Sequence, residues 1–132
     1  MIIVKIQGGL GNQMFQYAVG RHLALKNNTD LKLDISYYNQ VFKNHTPRQY
    51  SLKYFNIIEN IVKTKDIKKI KITNIHNQNI FLKIRRKILK FIEEKKPIYK
   101  RTYINEPYFN FCPEVLKIKN KKNIYLYGDW QT

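Results

Sequence analysis

Residues 2–18 read IIVKIQGGLGNQMFQYA. Ile2 to Ile6 is a short β-branched run that is ended by glycines, which is typical of a buried strand in an α/β sheet. From about Asn12 to Lys26, apolar residues recur at three- and four-residue spacing and predict a helix; they include Phe15, Ala18, Val19 and Leu23. Leu31 to Ile35 is a second strand candidate. Strand, helix and strand in this order predict a βαβ unit with a right-handed crossover and a parallel sheet.

The rest of the chain predicts one further clear helix and one further strand. Ile80 to Lys95 is a basic amphipathic helix that ends before Pro97, and Asn123 to Tyr127 is a strand. The apolar stripe of that helix consists of Phe81, Ile84, Ile88, Phe91 and Ile92. The middle of the chain is less regular. Gln49 to Ile57 is either a strand or a packed loop, and Thr64 to Ile75 reads as a short helix followed by a strand.

The composition indicates one globular domain with a strongly basic surface. A chain of 132 residues that is 43% hydrophobic and 14% aromatic can build one core. Its net charge of +16 favours an acidic partner. Nucleic acid, a sugar nucleotide and an anionic membrane all fit the sign of this charge, and a bias towards Lys, Asn and Ile codons explains it equally well.

Several classes of site and location are excluded by simple counts. Cys112 is the single cysteine, so an intrachain disulfide and a cysteine-based zinc site are excluded. His22, His45 and His76 lack ligand-like spacing, and we expect no metal. No apolar run approaches the roughly 20 residues of a spanning helix, and the start lacks the features of a signal peptide. A cytoplasmic location is therefore expected.

The glycines between the first strand and the first helix predict a ligand-binding turn. Gly8, Gly9 and Gly11 permit positive φ and let backbone N–H groups approach a phosphate at the positive end of the helix. A purely steric role for these glycines is the alternative. The turn matches neither a P-loop nor a dinucleotide fingerprint. Asn12 and Gln13 add side-chain amides that can bind phosphate or sugar oxygens, although Asn12 is equally suited to be a helix N-cap.

The run Gly8 to Ala18 closely resembles the N-terminal signature of the α-1,2-fucosyltransferase family, glycosyltransferase family 11. The resemblance continues in order at Leu31 to Asp34, Arg48 to Ile57 and Tyr125 to Gln131. Asp129 stands where an aromatic residue is usual in the family. The resemblance thus covers both ends of the chain and leaves a basic, divergent middle.

This resemblance implies an α/β fold, with residues 1–132 as the Rossmann-like, acceptor-side N-terminal lobe of a GT-B glycosyltransferase. The lobe would have a parallel sheet with flanking helices. The C-terminal lobe would hold most of the donor through a His-x-Arg-Arg-Gly-Asp signature, which this chain lacks; Arg85 and Arg86 have neither the preceding His nor the following Gly-Asp. The implied reaction is inverting transfer of L-fucose from GDP-fucose to a galactoside hydroxyl in bacterial surface glycan synthesis. It needs no metal or other cofactor, and the isolated chain is expected to be inactive.

The resemblance and the positions of the residues together nominate a site. The donor-binding residues are predicted to be Gly8, Gly9, Leu10, Gly11, Asn12 and Gln13, with Asn12 also contributing to catalysis. Asp34 lies at the carboxyl end of a predicted strand, where it is either a general base for the acceptor hydroxyl or a turn-forming residue. Trp130, Gln131 and Tyr37 are predicted to contact the acceptor glycan, with the packed core as the alternative for the two aromatic residues.

Two functions other than the transferase also fit parts of the sequence. A small basic nucleic-acid-binding protein would fit the charge, but the sequence shows no groove-reading motif, so no nucleic-acid partner is expected. A non-catalytic remnant lobe of the same family is the second. The expected partners are a sugar nucleotide, a glycan acceptor that is free or lipid-linked, and the C-terminal lobe. The basic helix from Ile80 to Lys95 is either packed on the protein or docked on an anionic inner membrane face.

Overall fold

Four short strands of the described residues form an all-parallel sheet in the computed structural model of the protein. They are β1 (Ile2–Lys5), β2 (Leu31–Asp34), β3 (Tyr103–Asn105) and β4 (Ile124–Tyr127), in the spatial order β2-β1-β4-β3. Residues 1–40, 46–63, 65–66, 70, 80–107, 112–119 and 123–131 are described. In the register of the sheet, Ile2 lies between Leu31 of β2 and Ile124 of β4. The sheet therefore brings the two ends of the described chain side by side.

Helix α1 (Leu10–Lys26) covers one face of the sheet at short range. A Cβ added at Gly20 would lie 2.9 Å from Leu31 Cδ1 and 3.0 Å from Val4 Cγ2, so the absence of a side chain permits this close approach. The shared core is formed by alternate strand residues, by α1 and by the short helix α3 (Pro113–Leu116), and includes Ile2, Val4, Leu23, Leu33, Val115, Ile124 and Leu126. Successive side chains of a strand point to opposite faces of the sheet, so every second strand residue faces α1.

The opposite face of the sheet carries a smaller cluster of buried residues. Ile3, Ile70 and Tyr125 are its buried members. The ring of Tyr125 stacks on that of Tyr103, with centroids 5.4 Å apart and planes inclined by 11°. Burial raises the pKa of Tyr103 to about 12, so its hydroxyl stays neutral at physiological pH. Both faces of the sheet are thus covered, as expected for parallel strands.

The predicted α/β architecture, a parallel sheet with flanking helices, is confirmed. The strand and helix boundaries shift by one or two residues, and the basic helix is α2 (Ile80–Glu94). Of the two alternatives for residues 49–57, the packed loop is correct, because this segment holds only a 3₁₀ turn (Leu52–Tyr54) with Leu52 buried. The predicted helix and strand at 64–75 lie largely outside the described residues. Strand β3 and helix α3 were missed, since three- and four-residue elements carry almost no periodicity.

The buried face of α1 differs from its most apolar face. Gln13 and Gln16 are fully buried, whereas Met14, Phe15 and Leu25 are exposed. Periodicity predicted the helix correctly, but the hydropathy of its residues does not indicate which way it faces. The reason lies at the start of the helix, where the two glutamines hold the preceding turn.

Candidate functional site

Two turns meet at the carboxyl edge of the sheet. The glycine-rich turn (residues 7–11) follows β1, and the C-terminal turn (residues 128–131) follows β4. Because β1 and β4 are neighbouring parallel strands, both turns leave the sheet at the same edge, where α/β proteins bind ligands. A side-chain hydrogen bond joins them: Gln131 Nε2 donates to Asn12 Oδ1 at 2.8 Å. Two predicted site residues 119 positions apart in sequence are therefore in contact.

The glycine-rich turn has a conformation that requires glycine at one position. Gly8 has φ +73°, and a Cβ there would lie 3.0 Å from Asn12 Nδ2. Gly9 is the N-cap of α1, and helical geometry begins at Leu10. The alternative in which Asn12 caps the helix is wrong, because Asn12 is already the third helical residue. Its side chain projects from the first turn towards the C-terminal turn instead.

The buried side chain of Gln13 holds the glycine-rich turn in place. Its Nε2 donates to the carbonyl oxygens of Gly8 at 3.1 Å and Gln49 at 2.9 Å. Its Oε1 accepts from the backbone N–H groups of Ser51 at 2.8 Å and Leu52 at 3.3 Å. The side chain is fully buried, so in this structure the amide is fully used in positioning the turn. Its predicted contact with a donor stays a prediction.

The positive end of α1 is open on its outer side. None of the described side chains caps the helix, so the first backbone N–H groups of α1 are free of a side-chain acceptor at the glycine-rich turn. The guanidinium of Arg48 lies over this turn, with Nη1 4.0 Å from the position a Cβ at Gly9 would occupy. Arg48 is exposed. Sequence reasoning missed Arg48 as a site residue, because nothing local indicates that a loop residue so far along the chain returns to this turn.

A second set of polar contacts ties the C-terminal turn to the base of the site. Asp129 Oδ1 accepts from Gln7 Nε2 and Gln16 Nε2, both at 3.4 Å, and Gln16 Oε1 accepts from the Gln7 backbone N–H at 2.9 Å. Glu106 Oε2 accepts from the Asp129 N–H at 2.7 Å. Gly128, at φ +152°, leaves room for this carboxylate, since a Cβ would lie 2.4 Å from Glu106 Cβ. The unusual Asp129 is therefore a structural link between the two turns.

A pocket of about 330 Å³ opens between α1 and α3 beside the C-terminal turn. Its lining includes Phe15, Val19, His22, Glu106, Trp130 and Gln131. Trp130 has φ +56°, which is rare for a bulky residue, and its Nε1 is buried without an acceptor among the described residues. The backbone of the turn thus holds an aromatic ring against the pocket at a local conformational cost. Two of the three predicted acceptor residues lie here.

Tyr37, the third predicted acceptor residue, lies elsewhere on the carboxyl edge. It belongs to the 3₁₀ turn Ser36–Asn39 that follows β2. Its ring packs edge-on against Tyr38 at 5.1 Å, and the Tyr38 hydroxyl donates to the carbonyl oxygen of Gly8 at 3.0 Å. Tyr37 therefore supports the glycine-rich turn through its neighbour and is absent from the lining of the pocket.

Asp34 lies on the face of the sheet opposite α1 and is buried. Its Oδ2 accepts from the Tyr125 hydroxyl at 2.6 Å and its Oδ1 from the Ser36 N–H at 2.9 Å, while Lys5 Nζ lies 3.6 Å away. Burial alone would raise the pKa of Asp34, but the hydrogen bonds and the charge of Lys5 outweigh it and lower the pKa. The carboxylate is ionised at neutral pH, as a general base requires, yet its oxygens hold the loop after β2. Its catalytic role stays a prediction.

Comparison with known proteins gives two partial matches. The chain is 46% identical over 46 residues to the alpha-1,2-colitosyltransferase of Escherichia coli, which covers 35% of this chain and 14% of that protein. It is 41% identical over 69 residues to the O-antigen biosynthesis glycosyltransferase WbnK of Escherichia coli, which covers 51% of this chain and 23% of that protein. No family model and no solved structure matches. The matches thus span less than a quarter of either curated relative.

Two further properties bear on the location and chemistry of the site. None of the helices in the described ranges has the length and hydropathy needed to cross a bilayer. Within those same ranges, His, Cys, Asp and Glu side chains do not gather in groups of three or more that could hold a metal ion. The polar groups at the glycine-rich turn and the first turn of α1 are backbone N–H groups, the Asn12 amide and the nearby Arg48 guanidinium, which suit an anionic or hydroxylated ligand.

Proposed function

We propose that the chain is the N-terminal, acceptor-side lobe of a glycosyltransferase that acts in the synthesis of bacterial O-antigen or a related surface polysaccharide. The observation that carries this proposal is the hydrogen bond between Asn12 and Gln131, which joins the open glycine-rich turn to the turn beside the pocket. The turn proposed to bind the phosphates of the donor and the pocket proposed to bind the acceptor thus share one edge of the sheet. The partial similarity to two glycosyltransferases supports the same conclusion.

The glycine-rich turn is the proposed contact for the sugar nucleotide. During sugar transfer, negative charge grows on the departing diphosphate, and preorganised donors placed at that charge lower the barrier. The uncapped first turn of α1 supplies backbone N–H groups and the positive end of a helix dipole. Arg48 adds a guanidinium above Gly9, and Asn12 adds an amide whose Nδ2 remains close to Gly8. These groups would complement the donor contacts of a C-terminal lobe.

The pocket beside α1 is the proposed position of the acceptor glycan. A sugar ring presents an apolar face and a rim of hydroxyl groups, and aromatic walls with a few polar groups suit both. Trp130 and Val19 provide apolar walls, while Gln131, His22 and Glu106 provide polar atoms at the same pocket. Gln131 contacts Asn12 and also lines the pocket, so it would place the acceptor hydroxyl next to the donor.

The finer form of the proposal is transfer of L-fucose from GDP-fucose to a galactoside in α-1,2 linkage, with inversion and without a metal. The resemblance of residues 8–18 to the fucosyltransferase signature supports it. One relative is an alpha-1,2-colitosyltransferase, which has the same linkage in its name with a different sugar, colitose. The α-1,2 linkage is therefore the more general part of this proposal, and fucose is the more specific part. A cytoplasmic location agrees with the use of a nucleotide-activated donor.

The test uses the longest polypeptide that the gene encodes, assayed with labelled GDP-fucose and a β-galactoside. We expect transfer, and we expect Asn12→Ala to lower kcat/KM by about 100-fold, which is typical of removing one preorganised donor. The melting temperature should stay near that of the unsubstituted protein, because Asn12 does not cap α1. Met14→Ala, on the exposed side of the same helical turn, is the matched control and should leave kcat/KM unchanged.

Three results would count against all or part of the proposal. If Asn12→Ala lowers the melting temperature substantially while the folded variant retains its donor affinity, the amide is structural. If a colitosyl donor is used and GDP-fucose is not, the α-1,2 transferase stands and the fucosyl assignment is wrong. Absence of transfer with every sugar nucleotide, in a folded full-length protein, would favour a non-catalytic lobe.

A further inference from the structure

Helix α2 presents an apolar stripe to solvent. Ile84, Ile88, Phe91 and Ile92, which we call the α2 stripe, are between 48% and 59% exposed. At about 100° per residue these four positions fall within an arc of about 100°, which is the width of a face that soluble proteins normally bury. A contiguous apolar face of this kind marks an interaction surface.

The opposite side of α2 fixes the helix to the protein. Glu93 is buried, and its Oε2 accepts from the Thr102 N–H at 2.7 Å and the Thr102 hydroxyl at 3.1 Å. Lys96 pairs with the other carboxylate oxygen. Arg101 Nε donates to the Lys96 carbonyl at 2.7 Å, and its Nη2 donates to that of Glu94 at 2.6 Å. Glu93 lies roughly half a helical turn from the α2 stripe, so these bonds direct the stripe outwards.

The charges around the stripe are almost all positive. Residues 80–101 contain nine Lys and Arg, namely Lys83, Arg85, Arg86, Lys87, Lys90, Lys95, Lys96, Lys100 and Arg101, against Glu93 and Glu94. Lys95 Nζ sits 4.6 Å from the centroid of the Phe91 ring, and Lys100 Nζ lies 6.0 Å from that of the exposed Tyr99. Both ammonium groups thus lie near exposed aromatic rings, and Lys side chains that extend along apolar surface to a charged end in water are typical of a lipid headgroup boundary.

These observations distinguish a lipid surface from a protein partner. The cores of protein interfaces are depleted of charged residues, and of Lys in particular. An in-plane membrane helix instead combines an apolar face with Lys and Arg beside it and low net hydrophobicity. We propose that α2 docks this protein in the plane of an anionic lipid surface, with the α2 stripe in the acyl boundary and the basic residues among the headgroups. This inference does not depend on the proposed transferase activity.

The test is flotation of the full chain with phosphatidylcholine vesicles, with and without phosphatidylglycerol, at low and high salt. We expect binding that needs phosphatidylglycerol and is lost at high salt, because screening shortens the range of the attraction. Replacing both Ile84 and Ile88 by Glu should weaken binding at least about tenfold. Leu25→Glu is the matched control: it removes an apolar side chain of α1 that is 62% exposed and should not change binding.

A second pair of variants tests the charges separately. Lys87→Glu and Lys95→Glu should each weaken binding to the anionic vesicles by about fivefold or more, while Lys119→Glu, at an exposed lysine outside α2, should have a smaller effect. Circular dichroism and melting temperatures should match those of the unsubstituted chain, since exposed positions rarely affect stability.

Five results would overturn the proposal. The first three are equal binding to neutral and anionic vesicles, no binding to either, and unchanged binding of the Ile84→Glu, Ile88→Glu double variant. The fourth is a concentration-dependent dimer that the double variant abolishes, which would assign the α2 stripe to contact between two copies of the chain. The fifth concerns nucleic acid. If a nucleic-acid duplex binds more tightly than the vesicles and the double variant binds it equally well, the basic residues serve nucleic acid instead.

Discussion

Helices α1 and α2 are anchored in opposite ways. The buried side of α1 carries two neutral amides, Gln13 and Gln16, which bond the turns of the candidate site. The buried side of α2 carries a carboxylate, Glu93, which bonds the segment before β3. In both helices a polar residue lies on the buried side and several apolar residues face outwards, although α1 also buries Leu23 and Ala24. The two helices differ in the surroundings of their outward apolar residues. Phe15 and Val19 of α1 line a pocket, whereas the α2 stripe is exposed to solvent.

This comparison indicates that a buried, hydrogen-bonded polar residue helps to set the orientation of each helix. A buried amide or carboxylate is tolerated only where its hydrogen bonds are satisfied, and those bonds exist at one rotation of the helix. The outward apolar faces are then available for function. Three measurements separate the two kinds of anchor, beginning with the one of largest expected effect.

Gln13→Leu should lower the free energy of unfolding by about 2–4 kcal/mol. The substitution keeps the approximate volume but removes the side-chain partner of four hydrogen bonds and leaves the Ser51 and Leu52 N–H groups without their acceptor. Urea denaturation followed by circular dichroism measures the change. The control is Met14→Gln, at the exposed neighbour, which should stay within about 0.5 kcal/mol. Equal effects of the two substitutions would show that the glutamine does not anchor α1.

The anchor of α2 should depend on pH, and that of α1 should not. Burial alone would raise the pKa of Glu93, but hydrogen bonds from Lys96 and Thr102 and the charge of Lys96 outweigh it and lower the pKa. A lowered folded-state pKa contributes stability above the unfolded value, about 4.5, and this contribution is lost as the pH falls through the folded value. Amide protection factors of α2 should therefore fall on acidification before those of the first turns of α1.

Glu93→Gln provides the control for this pH dependence. It should cost the docking of α2 about 1.5–3 kcal/mol at neutral pH, because it weakens charge-assisted hydrogen bonds, and α2 should then lose its acid sensitivity. If the α2 amides of the variant still lose protection at the same pH as before, another group controls the docking. Asp34, whose pKa is also lowered, acts on the sheet and should affect both helices together.

The smallest effect is expected from a pair of glycines within α1. A Cβ at Gly11 would meet no atom within 4 Å, so Gly11→Ala should raise stability by up to about 1 kcal/mol through helix propensity. At Gly20 the same change places a Cβ 2.9 Å from Leu31 Cδ1, and overpacking should turn the gain into a loss of about 1 kcal/mol. Thermal melting of the two variants checks the sign. Stabilisation by both would mean that α1 lies farther from the sheet than described.

The sequence predicted most of the regular architecture but little of how the site is connected. Strands β1 and β2 and helix α1 follow from local periodicity and from the glycines between them. Asn12 and Gln131 were both predicted to be site residues. Their contact could not be predicted, because it depends on β4 lying next to β1, and no local sequence pattern indicates which strands are neighbours. Arg48 was missed for the same reason, because its position over Gly9 is set by the path of a loop.

Burial was the weakest part of the sequence-based prediction, and the reason is physical. Hydropathy ranks Gln13 and Gln16 as surface residues, since unpaired amides are costly to bury. Here the amides are paired with backbone groups of two turns, so burial becomes favourable. A capping-type pattern of two glutamines three residues apart, directly after a glycine-rich turn, is the signal in the sequence that could have indicated this.

The position of β4 in the sheet also determines when this unit can assemble during synthesis. Strand β4 lies between β1 and β3, and Ile2 pairs with Ile124. Until residues 124–127 leave the ribosome, β1 has an unpaired edge and β3 has no partner in the sheet. Contacts of such sequence separation form slowly, because a long loop must be closed first. The nascent chain therefore exposes an apolar strand edge until residue 127 has been synthesised, and we expect chaperones that shield such edges to bind it until then.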